Sequence, residues 1–324
     1  ERIRKLLNTQ YSILTPRPPF AGTFHSFCAK FLRKEGSHFG IPIDFVIYDE
    51  QDQLDVVKGI LKKMDIGSFK PASILEAISQ AKNELLSPSE YYAYSRGYFT
   101  KTAAAVYPEY EKILKESHAL DFDDLLMKTV TILKKDAAML NRYQDLFRCL
   151  LVDEYQDTNH SQYEFTRLLA KRYQNLTVVG DCSQSIYSWR GADFHNVLKL
   201  KKDFPGLTTH YLERNYRSCQ NILTAAFSII NKNQTHPILK LWTDKKGGEK
   251  ITLYEAKNEK DEAEFIVRKI QHQEPIRDRI DSDPGSVNFY NQFAVLYRTN
   301  AQSRVVEEAL LHAAIPYILV GGIR

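Results

Sequence analysis

Residues 149–159 read CLLVDEYQDTN, in which Leu150, Leu151 and Val152 run directly into Asp153 and Glu154. Two carboxylates at the end of an apolar strand can divide one task. The first can hold a magnesium ion, which takes hard oxygen ligands and keeps several of its waters. The second can orient or deprotonate an attacking water. Taken alone, the pattern fits equally a hydrophobic run that meets acids by chance. A magnesium strand of this kind normally works with a G-x-x-x-x-G-K-[ST] loop that cradles the phosphates. None of the 14 glycines is followed by lysine, so the strand stands here without that cradle.

A second segment adds chemistry. LTVVGD (176–181) reads as the adjacent strand, which would bring Asp181 beside the first acidic pair. Gln184 follows as a neutral donor able to reach a phosphate. Tyr187 and Trp189 lie in a polar, glycine-bounded turn, and Arg190 adds a cation. Aromatic faces beside a cation suit single-stranded nucleic acid, bases on the rings and phosphates on the charge. The plainer alternative packs both rings under their own loop. In NYRS (215–218), Arg217 closes a strand and opens a helix, a place from which arginine can clamp a phosphate. Tyr216 could cover a purine ring. An ordinary solvated arginine at a helix start fits the same four residues.

The elements that must position these groups alternate. After strand 150–153, Phe165, Leu168, Leu169 and Tyr173 fall on one helical face, with Thr158 or Asn159 as cap. Strands are expected at 176–181, 207–213, 251–256, 293–298 and 315–322, and helices at 261–271 and 303–314. A helix capped by Ser218 carries Ile222, Leu223 and Ile230. Strand–helix alternation implies α/β domains with parallel sheets covered by helices, with a boundary near 212–218. Residues 45–130 differ: amphipathic stretches such as 51–64 and 72–86 read as a helical insertion. Its tyrosine-rich piece, 91–110, fits either helix-on-helix packing or a base-stacking surface. Residues 273–288 read as a polar loop.

Bulk properties set limits. The chain has 324 residues, 43% hydrophobic and 26% charged, as in ordinary globular proteins. The net charge of +4 permits a nucleic-acid partner without arguing for one. No apolar run approaches the roughly 20 residues of a membrane span, and no secretory signal is seen, so a cytoplasmic location is expected. Cys28, Cys149, Cys182 and Cys219 are scattered, without a C-x-x-C pair, and are expected to be reduced thiols. The start at Glu1-Arg2-Ile3, already in charged helical register, suggests an excerpt of a longer protein.

In this order and spacing, LLVDEYQDTNHSQ, VVGDCSQSIYSWRGADF and LERNYRS resemble the UvrD/PcrA/Rep family of superfamily 1 DNA helicases, most of all its PcrA-like bacterial branch. GTFHSFCAKFLR (22–33), LDFDDLL (120–126) and FAVLYRTNAQSRVVEEAL (293–310) share the resemblance, which covers nearly the whole chain. It implies RecA-like P-loop NTPase motor domains with parallel sheets, ATP between the two motors and single-stranded DNA across them. Residues 1–44 and 131–212 would form the first motor, 45–130 its helical insertion, and 213–324 the start of the second.

The resemblance also assigns roles. Asp153 matches the magnesium-binding acid and Glu154 the catalytic base. Gln184 matches the γ-phosphate sensor, Arg217 an arginine on that phosphate, and Tyr216 the ring on adenine. Tyr187, Trp189 and Arg190 match residues of the DNA track and its coupling, and Thr23, Phe24, His25 and Ser26 a DNA-contacting segment. ATP and Mg2+ are the implied cofactors. The implied partners are single-stranded DNA and single-strand/duplex junctions, without a membrane. The implied activity is ATP-driven 3′→5′ unwinding in repair or replication. The family's phosphate loop and later arginine are not in the chain, so these residues by themselves are expected to be inactive. Cys182 and Ser183 stand where acids are common, and Arg214 where glutamine is common. A helicase–nuclease subunit and a non-catalytic DNA-binding module are the alternatives; no nuclease signature is present.

Overall fold

The computed structural model describes residues 19–245, 247–272 and 289–320, apart from the side chain of Arg190. The expectations for 1–18, 273–288 and 321–322 lie outside the described residues. The described residues form two compact units. The first takes in those up to Tyr216 together with Leu223–Thr243, and the second takes in Arg217–Ile222 and those from Asp244 onward.

In the first unit, parallel strands flanked by helices match a RecA-like P-loop NTPase core with a helical subdomain. Strands β1 (Val46–Ile47) and β2 (Ala119–Leu120) pair in parallel, as do β3 (Leu150–Val152) and β4 (Leu176–Val178). In the second pair, Leu150 lies opposite Leu176 and Val152 opposite Val178. Helix His160–Ala170 connects β3 to β4. It starts at Asn159, whose side chain accepts from Gln162 N while Gln162 Oε1 accepts from Asn159 N. Such a reciprocal cap satisfies two otherwise unpaired backbone donors. Thr158, the other candidate cap, instead donates its hydroxyl to Tyr155 O at 2.7 Å.

Phe165, Leu168 and Leu169 of that helix join a core with Cys28, Phe31 and Leu32 of helix Phe24–Glu35 and Leu125, Leu126 and Leu133 of helix Phe122–Lys135. Each such leucine contributes about 1.5–3 kcal/mol by leaving water. All four cysteines are free thiols, and burial pushes the Cys28 thiol up to about 12.

The pairing of β1 with β2 closes the neck of the helical subdomain, since the strands flank its helices in sequence. Helices Glu50–Lys63, Pro71–Asn83 and Gly97–Glu116 bury Val57, Ile74, Ile78, Val106 and Leu114 in a separate core. Tyr107 and Tyr110 are wholly buried there, whereas Tyr92, Tyr94 and Tyr98 are 66–72% exposed. The tyrosine-rich piece therefore divides between packing and surface.

In the second unit, helices Glu259–His272 and Asn300–His312 meet over Ile270, Leu310 and Ile315. The strands expected at 207–213, 251–256, 293–298 and 315–320 form no ladder among the described residues; one isolated bridge joins Arg214 to Trp242. Apolar alternation marks a segment suited to a sheet, but a strand exists only with a hydrogen-bonding neighbour. Leu253, Leu296 and Ile318 are correspondingly 86–94% exposed. No described helix is long and apolar enough to cross a membrane.

Candidate active site and nucleic-acid surface

Asp153, Glu154, Asp181 and Gln184 gather where β3 and β4 end. Ligands of open parallel α/β sheets bind outside the carboxyl ends of their strands. Asp153 follows β3, is exposed, and accepts Glu154 N on Oδ1 at 3.0 Å. Glu154 adopts the left-handed conformation, with φ 51° and ψ 44°. That region costs a non-glycine residue energy and clusters at functional sites. The backbone is held there by Tyr155 N donating to Val179 O at 2.9 Å and Asp157 N to Glu154 O at 3.0 Å.

The loop after β4 comes directly alongside. Asp181 N donates to Gln156 Oε1 at 3.0 Å, and Gln156 Nε2 donates to Glu154 Oε2 at 2.8 Å. Asp181 Oδ2 accepts Gln184 Nε2 at 2.9 Å. Gly180 makes this approach possible, because a Cβ there would lie 2.7 Å from Gln156 Oε1 and 3.3 Å from two backbone nitrogens. Asp157 Oδ1 is buried without a hydrogen-bond partner. Burial, and then the charge of Glu154, push the Asp157 carboxyl up.

Tyr187 and Trp189 follow on the same loop, 41% and 60% exposed. Core packing under their own turn does not describe rings so open to solvent. The loop is anchored by Asp193 N donating to Thr158 O at 3.0 Å and by Asn196 Nδ2 to the same oxygen at 2.9 Å. Gly191, with φ 81°, turns the chain where a side chain would meet Asn159 and Asn83.

The segment 23–26 is largely occupied by its own helix. Thr23 Oγ1 accepts Ser26 N at 3.2 Å, and Ser26 Oγ donates to Thr23 O at 2.9 Å. Phe24 packs edge-on against Phe165 at 5.9 Å. His25 meets Phe122 at 5.9 Å; burial lowers its pKa, against the raising charge of Asp123. His25 therefore offers a neutral ring near neutral pH.

Tyr216 is 70% exposed, with the Arg214 guanidinium 4.8 Å from its ring centroid and 5.5 Å from that of Trp242. Tyr216 falls in the first unit and Arg217 in the second. Arg217 O accepts Lys245 Nζ at 3.1 Å. Arg190 belongs to the turn Ser188–Arg190, and its side chain lies outside the described residues.

Sequence patterning overlooked Gln156, which sits inside the quoted DEYQDTN, and the signal available for it was Gly180. A glycine ending a strand beside a second acid marks a close approach that some neighbour must fill.

Asp153 can carry magnesium on chemical grounds: an exposed carboxylate at a strand end supplies the hard oxygen the ion needs, and one or two such ligands suffice beside waters and phosphates. No group of three or more possible metal ligands occurs among the described residues.

Residues 1–205 match the UvrD/REP helicase N-terminal domain, and residues 210–324 match the UvrD-like helicase C-terminal domain. The chain is 43% identical over 325 aligned residues to an ATP-dependent DNA helicase PcrA of Staphylococcus aureus (strain Mu50 / ATCC 700699), covering 99% of this chain and 42% of the relative. It is 44% identical over 303 residues to the protein of that name from Staphylococcus epidermidis (strain ATCC 12228 / FDA PCI 1200), covering 93% and 40%. The chain thus spans about two fifths of the length of these curated relatives. With both family models accounting for nearly every residue, and the acid strand, its partner loop and the exposed aromatic turn in place, the chain belongs to the UvrD/REP helicase family.

Proposed function

We propose that these residues form one side of an ATP site and part of a single-strand DNA track in an ATP-dependent DNA helicase. The observation that carries the reading is the hydrogen-bonded set Glu154–Gln156–Asp181–Gln184 at the ends of two parallel strands, followed within the same loop by exposed Tyr187 and Trp189. The staphylococcal relatives, ATP-dependent DNA helicases by name, point the same way.

In this reading Glu154 orients the attacking water and takes its proton. Gln184 moves from Asp181 to the terminal phosphate, while Tyr187 and Trp189 offer faces to bases and Arg190 a cation. Asp153 would hold magnesium, which when bound neutralises charge on the phosphates. Tyr216 against adenine, Arg217 on the γ-phosphate and residues 23–26 against DNA rest on family resemblance alone. So do 3′→5′ polarity, a role in repair or replication, and preference for single-strand/duplex junctions. We assign 1–44 and 131–212 to the first motor, 45–130 to its insertion and 213–324 to the second. The separate core of residues 57–119 and the paired neck strands support an insertion, whereas Leu125, Leu126 and Val130 pack in the first motor's core and Leu223–Thr243 group with the first unit.

The test is Glu154→Gln in a full-length helicase that carries this sequence. DNA-stimulated ATP turnover should fall by roughly 10²–10⁴-fold with ATP binding nearly intact, because the amide keeps the shape but cannot take a proton. Unchanged kcat would remove Glu154 from the role of base.

A further inference from the structure

Gln156 is 1% exposed, and its side-chain amide is engaged at both ends. Oε1 accepts Asp181 N at 3.0 Å, while Nε2 donates to Glu154 Oε2 at 2.8 Å and more weakly to Asp157 Oδ2 at 3.4 Å. The network settles the amide's orientation, since a backbone N–H can only donate and a carboxylate can only accept. Oε1 must face Asp181, so Nε2 must face Glu154. The Gln156 carbonyl also accepts Ser185 Oγ at 3.4 Å, from the same loop.

Space for this amide is provided by the missing side chain of Gly180. A residue present only to fill volume would need no such cradle. Nor would an exposed carboxylate need a buried donor, because water serves it equally well. What water cannot do is fix a direction. Glu154 already sits on a left-handed backbone, and the amide adds a second constraint on where its carboxylate points.

We propose that Gln156 is a positioning residue: it aims the Glu154 carboxylate and ties that aim to the loop from Gly180 to Ser185. This rests on the reading of Glu154 as the base. Gln184, which in this structure donates to Asp181 Oδ2, extends the same chain of bonds. When Gln184 turns to a phosphate, Asp181 is relieved of that partner, and its amide reports the change to Glu154 through Gln156.

Two variants separate the halves of the contact, in a full-length helicase that carries this sequence. Gln156→Glu keeps an acceptor for Asp181 N–H but loses the donor to Glu154. Its kcat should fall roughly ten- to a hundredfold near pH 8, the worth of a hydrogen bond to a charged group. KM for ATP should stay within about twofold. Activity should partly return towards about pH 6, as the introduced carboxyl takes a proton and can donate again. Gln156→Leu should lose kcat at every pH, without that recovery.

A space-filling role gives a different result. The two variants would then retain wild-type kcat within about twofold, or Gln156→Glu would lose activity with no pH-dependent return; either result overturns the proposal. Hydrogen exchange at the Asp181 amide, measured on the 324-residue chain, reads the bond without turnover. Protection should persist in Gln156→Glu and vanish in Gln156→Leu, and equal protection in both overturns the proposal even where Gln156→Leu folds poorly. A wild-type full-length protein without DNA-stimulated turnover would instead overturn the reading of Glu154, leaving the exchange measurement to decide the contact.

Discussion

The Lys82 ammonium, 0% exposed, lies 2.7 Å from Asp121 Oδ2 and joins the helical subdomain to the start of helix Phe122–Lys135. Glu111 Oε1 at 2.5 Å and Asp124 Oδ1 at 3.1 Å complete its surroundings. Both oxygens lie within ion-pair distance of the ammonium. Tyr110 OH donates to Asp121 at 2.9 Å. Despite complete burial, which opposes the charge, the surrounding acids hold the Lys82 pKa well above its usual value. Both acids of LDFDDLL that face Lys82 also cap the helix reciprocally.

Lys82→Met should therefore destabilise the fold by about 3–5 kcal/mol, because it strands the buried Asp121 carboxylate without its cation, while Lys128 still pairs with Asp124 and Glu111. Denaturant unfolding checks this, and a loss below about 1 kcal/mol would mean that the acids find other partners or protonate.

Gly180→Ala should cost about 1–3 kcal/mol, the usual range for overpacking. Its Cβ would meet Gln156 Oε1 at 2.7 Å and the backbone nitrogens of Tyr155 and Gln156 at 3.3 Å. Thermal melting measures the cost. An unchanged Tm would show that the Gln156 amide swings away freely.

Trp189→Ala should leave stability nearly unchanged, since the ring is 60% exposed. Single-strand affinity should fall by roughly 1–3 kcal/mol, the worth of a base–aromatic stack. The slope of affinity against salt should stay the same, because no phosphate contact is removed. Titration of a labelled oligonucleotide at two salt concentrations reads both. A large loss of Tm with unchanged affinity would make Trp189 a packing residue.

Acid should weaken the first unit partly through Glu164. Burial acts against its ionisation, but hydrogen bonds from Arg167 and Lys134 outweigh it and draw the carboxyl down from 4.5 to about 2. A carboxyl depressed on folding contributes stability that is present above about pH 4.5 and lost as pH falls towards 2. Asp121 acts oppositely: burial, then Asp124, raise it from 3.8 to about 6, so its ionisation costs stability as pH rises across that range. Glu164→Gln should flatten the acid limb of a stability–pH curve below about pH 4.5. An unchanged limb would place the acid sensitivity elsewhere.

What the sequence determined by itself is the inventory and its local setting. Hydrophobic runs ending in Asp153-Glu154 and Gly180-Asp181, helix caps, and the spacing of QDTN, QSIY and WRGA are properties of neighbouring residues, and local patterning reads them. The pairing of β3 with β4 followed from adjacent strands joined by one helix. The tertiary structure decided which polar groups meet across distance. Gln156 lies 25 positions before Asp181, and Lys82 39 positions before Asp121. No sequence period links such pairs; they meet because two strand ends lie side by side and a helix end is buried against another. It likewise separated buried Tyr107 and Tyr110 from exposed Tyr98. Their shared ring type cannot show which face of the helix finds a partner.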